Sequence, residues 1–503
     1  MTFTGPHSHG MIVPLLLCLV LISTPAQAED LSGRGLQQAD PASAGVSAGD
    51  EGCDIVLLLD SSESMNRTDP YNYRKNAARL IISLLGKDDR ISIMNFGASA
   101  TRLKPLIPNT GKNHAALFNV IDQISSGELS TNMTDAVKQG FEELMQSRRK
   151  NRFLVMLSDG KLALGSRQDD DAAFETLKRL LPGLAGAGIR LFAVALSDEA
   201  DRGLLEGMAA ETKGFFRFAK TDADVHLMFA SIFEMIKAPD STPFEGEKLR
   251  IDPMVSEVTV LVTKKAGDPV TLVDPSNRDH TAMRHFRDMA WLESAVFDMI
   301  TIKAPAAGAW SVKGGAAEAN KAYVLTDLSL KTSFGGGFIS TEENIEVAAW
   351  LERQGSVVTE KAFLENTVLS AELTGPDGKV ATLALAGGGP FDRRAGGKYS
   401  ATLRAIDAGE YTLRLLANGG TFRREILLPF KATGQRAPVA FERAEGPERA
   451  PAPPAGPVKD AMSWTAVLLR FAAVNLALIV LGVLAGGGYV AYRKTLARRW
   501  KRP

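Results

Sequence analysis

Between residues 54 and about 238 the apolar residues fall into short continuous runs, each closed by polar residues or glycine. The runs at 55–59, 91–96, 153–157 and 189–196 have the length of strands and almost no polar face, the pattern of strands covered on both sides. Between them, 73–85, 134–147 and 172–181 repeat apolar residues at helical spacing, as amphipathic helices do. Strand and helix alternate, which predicts a parallel sheet with helices on both faces over residues 53–238.

After residue 245 the period changes to that of strands. Runs at 257–263, 270–273, 299–302 and 308–312, broken by Asp274-Pro275 and by the Pro305 to Gly308 stretch, predict a small β-rich domain over 245–318. A second β-region, 320–433, contains Asp407-Ala408-Gly409-Glu410-Tyr411, which fits the D-x-G-x-Y tyrosine corner of immunoglobulin-like sandwiches. Runs at 411–416 and 424–430 around Asn418-Gly419-Gly420 predict its closing hairpin. Leu413 stands where a cysteine would be in the antibody type.

The candidate chemistry lies at the strand ends. Asp60-Ser61-Ser62-Glu63-Ser64 follows the first apolar run directly, Ser130-Thr131-Asn132-Met133 opens a helix, and Ser158-Asp159-Gly160 closes a strand. A carboxylate and two hydroxyls at alternate positions of a tight loop can turn three hard oxygens toward one small cation. Ligands of open α/β sheets bind at this carboxyl edge. Asp69-Pro70 pairs a capping residue with the residue suited to a first helical position, so the helix through Arg74, Ala78 and Ile82 is expected to begin there, beside the loop.

These residues make the segment resemble a von Willebrand factor type A domain, and Asp60, Ser62, Ser64, Thr131 and Asp159 match the family's metal-ion-dependent adhesion site in full. The resemblance implies a Rossmann-like fold holding Mg²⁺, or Mn²⁺ or Ca²⁺, at the sheet edge. Ser62, Ser64 and Thr131 would ligate directly, and Asp60 and Asp159 largely through water. It also implies a protein partner whose acidic residue completes the coordination. Glu63 departs from the small residue common there; alternation turns it away from the ligand set.

The two ends of the chain carry membrane signals. An apolar stretch at 11–23 followed by Ala26-Gln27-Ala28 reads as a signal peptide over 1–28, which takes Cys18 with it and leaves Cys53 alone in the mature chain. A flexible segment is expected over 29–52. Residues 434–460, rich in Pro and Ala, read as a stalk. Phe471 to Tyr492 is 22 residues without a charge, about 33 Å as a helix, within a transmembrane region of 463–492. Six basic residues follow in the tail, 493–503. The positive-inside rule then predicts a single-pass type I protein of bacterial kind with periplasmic or extracellular domains. Gly482-x-x-x-Gly486 offers a weak dimerisation face.

Charge removes one class of partner. Lys plus Arg and Asp plus Glu are equal in number, but with the tail set aside 52 basic and 58 acidic residues remain, a net charge of −6. Nucleic acid is not a natural ligand of such a body. Enzymatic chemistry has no foothold either: no H-E-x-x-H, P-loop or nucleophile elbow occurs. The sequence therefore points to a metal-dependent adhesion-type head on a membrane anchor. An envelope assembly component binding through its β-domains is the alternative, and an adaptor for a cytoplasmic ATPase a more distant one. Three further features have ordinary readings. The basic group 148–152 reads as helix C-terminal partners, Asp169 to Asp171 as a helix first turn, and His114 and His226 as surface or half-buried residues. Cys53 reads as a small buried filler.

Overall fold

The computed structural model describes residues 52–434, except 222–223, 266, 384, 386–395 and 405–406. The expected leader, stalk, apolar span and basic tail lie outside the described residues. Among the described residues, no helix is long and apolar enough to cross a membrane.

The first unit contains β1 (Asp54–Asp60), α1 (Met65–Thr68), α2 (Tyr73–Leu84), β2 (Arg90–Phe96), β3 (Ala100–Pro108), α3 (Gly111–Asp122) and α4 (Met133–Met145). It continues with β4 (Arg152–Ser158), α5 (Arg167–Gly186), β5 (Ile189–Leu196), α6 (Arg202–Glu211), β6 (Phe215–Ala219) and α7 (Val225–Lys237). The sheet order is β3-β2-β1-β4-β5-β6, parallel throughout except for β3. Side chains alternate between two cores. Ile55, Leu57 and Leu59 pack with residues of α2, α3 and α7, while Val56 and Leu58 pack with residues of α4, α5 and α6. Both faces are dry, which explains the continuous apolar runs.

The predicted strands of this unit form where the runs stand. β3 was not legible, because as an antiparallel edge strand it carries Thr101, Arg102, Lys104 and Pro105 toward solvent and shows no apolar alternation. α5 runs past its predicted end at residue 181 to Gly186 with Pro182 inside it. The start of α2 is also corrected. Asn72, in left-handed backbone at φ 56°, precedes the helix, and Asp69 belongs to the link after α1. The Asp69 carboxylate nevertheless accepts the first-turn N–H groups of Tyr73 (2.6 Å) and Arg74 (3.3 Å), so it caps the helix from upstream.

Two β-sandwiches follow. In the first, a five-stranded sheet ordered Asp279–His280, Thr271–Val273, Gly308–Lys313, Lys248–Ile251, Phe244–Glu245 faces a four-stranded sheet ordered Met289–Glu293, Phe297–Lys303, Val255–Thr263, Lys321–Thr326. They share a core around Val258, Val260, Leu272, Ile300 and Val312. Lys321–Thr326, expected in the second β-region, belongs here: it pairs with Val255–Thr263 from Lys321↔Leu261 onward. Its alternation is the same in either sheet, so only pairing decides. The second sandwich packs Leu328–Thr332, Ile345–Arg353, Ser356–Val357 and Lys398–Leu403 against Gly337–Ser340, Arg423–Thr433, Gly409–Gly419, Thr367–Thr374 and Val380–Leu383. The predicted hairpin pairs from Gly409↔Ala432 to Asn418↔Arg423. Tyr411 Oη donates to Asp407 O (3.0 Å) and accepts from Asp407 N (3.2 Å), the corner expected of that motif, and Leu413 is fully buried.

Residues 240–242 join all three units. Ser241 exchanges backbone hydrogen bonds with Glu425 of the second sandwich at 2.9 Å each way, while Val324 N donates to Asp240 O (2.8 Å) and Thr242 N to Ala322 O (2.9 Å) in the first. Arg424, fully buried, closes the joint. It donates to Asp252 Oδ2 (2.6 Å), Leu328 O (3.1 Å) and Thr326 Oγ1 (2.8 Å). Replacing Arg424 with Ala would leave Asp252 buried without a counter-charge, a loss of about 3–5 kcal/mol. Denaturant unfolding of the full chain is expected to show that loss, and an unchanged midpoint would refute the role given to this pair.

Candidate metal centre

Parallel pairing sets β1 beside β4 through Leu59↔Leu157, so the loops leaving both strands open on one sheet edge. Asp60 ends β1 fully buried. Its Oδ1 accepts Ser62 N (2.8 Å), which folds the D-x-S-x-S loop into a tight turn, and its Oδ2 accepts the Ser158 hydroxyl from the end of β4. Ser62 Oγ and Ser64 Oγ lie 2.9 Å apart, and Ser64 Oγ donates to Asp159 Oδ1 at 2.8 Å. Thr131 is held by paired backbone hydrogen bonds with Ala163 (2.8 and 3.1 Å). A Cβ built on Gly160 would fall 3.4 Å from Thr131 Oγ1 and 3.8 Å from Ser64 Oγ. Glycine here keeps a space open between the two hydroxyls.

All five residues predicted for the site therefore meet at one place. Two more were not foreseen. Thr68 Oγ1 donates to Asp159 Oδ2 from α1, and Ser158 orients Asp60. The signal for Thr68 is its helical spacing of four from Ser64, whose carbonyl it also contacts at 3.2 Å. Behind the loop, Arg74 and Asp69 form a fully buried ion pair (2.6 Å), and Arg74 Nη2 holds Ser126 Oγ (2.6 Å). That contact pins the 124–128 loop, whose Glu128 carbonyl accepts Glu63 N at 2.7 Å. Glu63 is exposed on the rim of an open cleft shared with Ser62, Ser64 and Thr131.

The electrostatics are unbalanced. Asp60 and Asp159 are 0% and 1% exposed, and among the described residues neither has a basic side chain in ion-pair contact. Burial pushes the Asp60 carboxyl up to about 6, against hydrogen bonds from Ser158 and Ser62, and burial also raises Asp159. Two buried carboxylates and three hydroxyls make an all-oxygen donor set with surplus negative charge, which fits a hard divalent cation. Among the described residues no group of three or more His, Cys, Asp and Glu could hold a metal, so a softer nitrogen- or sulfur-rich site has no counterpart there.

The remaining features have structural roles. Ser166 caps α5 by accepting Asp169 N (3.1 Å), and Asp170 accepts Leu164 N (2.6 Å). Arg152 donates to the carbonyls of Leu144 and Ala187 near the ends of α4 and α5. His226 corrects its expectation: it is 3% exposed, stacked on Phe297 at 5.3 Å and 3.1 Å from Thr263 Oγ1, at the contact between α7 and the first sandwich. Cys53 is buried and free, with Sγ donating to Asp89 Oδ1 at 3.3 Å, and burial raises its thiol well above the ordinary range.

Residues 54–231 match the family described as von Willebrand factor type A domain, so the α/β unit is a type A domain. The probable E3 ubiquitin-protein ligase WAVH2 of Arabidopsis thaliana is 31% identical over 114 residues, 22% of this chain and 16% of that protein. A von Willebrand factor type A structure from Catenulispora acidiphila aligns over 61% of this chain and 64% of its own at 14% identity, with a TM-score of 0.33. Proximal thread matrix protein 1 from the mussel byssus, with a zinc-occupied MIDAS motif, aligns over 37% of this chain and 46% of its own at 17% identity and a TM-score of 0.31. The chain thus spans less than two thirds of each of these proteins.

The buried charge has a measurable consequence. A carboxyl raised in the folded state binds its proton more tightly than in the unfolded chain, so its ionisation removes stability as pH rises from about 4 to about 6. In chelator, Asp60→Asn is therefore expected to be more stable than the parent at pH 7, on the order of 2 kcal/mol, and to lose that advantage near pH 4. Denaturant midpoints at the two pH values check this; a variant less stable at pH 7 would contradict the electrostatic account.

Proposed function

We propose that this chain is a single-pass membrane protein presenting a divalent-metal-dependent, protein-binding type A head outside the cytoplasm, carried on two β-domains of which the second is immunoglobulin-like. The observation that supports it most is the convergence of Asp60, Ser62, Ser64, Thr131 and Asp159 beneath an open cleft. The buried carboxylates lie behind Ser62, Ser64 and Thr131, which line the cleft. Ser62, Ser64 and Thr131 would hold the cation directly, Mg²⁺ fitting the hard donors best, with Mn²⁺ and Ca²⁺ as substitutes. The cation would supply a Lewis-acidic position that a partner's carboxylate can fill. Asp60 and Asp159 would neutralise it from behind, Asp60 fixing the turn at Ser62 N and Asp159 holding the Ser64 hydroxyl. The role is binding, not turnover.

A second reading rests on the edge strand Val380–Leu383, where Val380 is 61% exposed. A β-domain edge of that kind can recruit an envelope partner by strand addition, leaving the metal a structural part.

Capture experiments separate the two. The parent is expected to bind Mg²⁺ calorimetrically and to retain a set of crosslinked membrane partners that chelator and Thr131→Ala both remove. Partners that survive both treatments belong to the β-domains. If every partner survives, metal bridging is excluded.

The proposed topology has its own test. Protease added to sealed right-side-out vesicles should remove everything up to about residue 465 and leave a small C-terminal fragment. Protection of the head until lysis would reverse the topology and favour the ATPase-adaptor reading, since head and motor would then share a compartment.

A further inference from the structure

We infer that the surface around the metal centre selects a protein segment whose metal-binding acidic residue is flanked by a cationic side chain and an aliphatic one; this rests on the metal-bridged reading above. Leu129 carries the first part of the argument. It is 86% exposed, yet its backbone is clamped on both sides. Gly127 N and Glu128 N donate to Ser61 O at 3.1 and 3.2 Å, Glu63 N donates to Glu128 O, and Thr131 pairs with Ala163. A single exposed leucine is unremarkable by itself. This one projects on a fixed loop two residues before Thr131 and lines the same cleft as Ser62 and Ser64. An aliphatic side chain beside the partner's carboxylate would cover it.

Charge supplies the second part. Glu63 and Glu128 line the cleft exposed, and among the described residues neither has a basic side chain in ion-pair contact. The arginine of the cleft, Arg67, is taken up by Glu199. Glu128 is also held in place. A Cβ on Gly97 would fall 2.2 Å from its Cβ and Cγ, so the absence of one lets the glutamate stem lie against the chain at 97. Two carboxylates on the rim repel a segment rich in acids and favour one whose single acid stands beside Lys or Arg. The metal would take the acid, the rim glutamates the cation, and Leu129 the aliphatic group.

The test uses the full-length protein in detergent and three fluorescent peptides of equal length, each with one central Glu. That Glu is flanked by Lys and Leu in the first, by Glu and Leu in the second, and by Lys and Ser in the third. Anisotropy is read in Mg²⁺ and in chelator, to millimolar protein. The Lys/Leu peptide is expected to bind on the order of tenfold more tightly than the Glu/Leu peptide, and several-fold more tightly than the Lys/Ser peptide, in Mg²⁺ only. The neutral pair Glu63→Gln and Glu128→Gln should bring the Lys-over-Glu ratio close to one. Leu129→Ser should do the same for Leu over Ser, with melting midpoints verifying that each variant is folded. Mg²⁺-dependent binding of all three peptides with equal affinity, or ratios unmoved in the folded variants, overturns the selection while leaving metal bridging intact. No Mg²⁺-dependent binding of any peptide overturns both.

Discussion

Parallel pairing of β1 with β4 is the constraint on which the site depends. Antiparallel neighbours would send the two loops to opposite edges of the sheet. In parallel register, Asp60 and Ser158 leave the sheet side by side and Asp159 follows in the next position. Crossover helices are the cost of that arrangement, since a parallel strand cannot be reached by a tight turn. They also bury both faces of the sheet, so the loops of the candidate site stand on a strand with every residue below them packed.

Such a foundation makes an electrostatically unfavourable site tolerable. Among the described residues neither buried carboxylate, Asp60 or Asp159, has an ion-pair partner, and Arg74, whose charge reaches Asp159, is itself paired with Asp69. The Ser62 N–H and the hydroxyls of Ser64, Thr68 and Ser158 share the work of solvating them. That arrangement sacrifices stability, as candidate functional sites commonly do.

The head does not hang from the β-domains by a loose tether. α7 ends at Lys237, and within three residues the chain is hydrogen-bonded to both sandwiches through the backbone of Asp240, Ser241 and Thr242. Glu234 of α7 meets Lys321 and Tyr323 (3.0 Å) of the first sandwich, while Arg217 of β6 pairs with Glu410 (2.7 Å) of the second. Together with the buried His226 and Arg424, polar contacts of this kind specify one docking geometry more sharply than apolar packing does.

The α/β fold of the first unit and the meeting of five oxygen-bearing residues at one sheet edge were legible because they rest on local signals. The apolar runs of β1, β4 and β5 have two buried faces, and the five oxygen-bearing residues stand at the ends of β1 and β4, in the loop after β1 and just ahead of α4. The tyrosine corner at Tyr411 is equally local, a residue bonded to its own chain four positions back. What stayed hidden depends on partners distant in sequence. β3 is a strand only because β2 offers it an edge. Lys321–Thr326 joins the first sandwich and not the second because Val255–Thr263 has a free side there, and His226 is buried only because Phe297 lies across it. The sequence by itself determined which residues could form strands and supply oxygens, since periodicity and loop chemistry are written along the chain. Which edges pair, and which polar groups lose their water in doing so, was decided by tertiary structure, because those energies exist only once segments far apart in the chain come into contact.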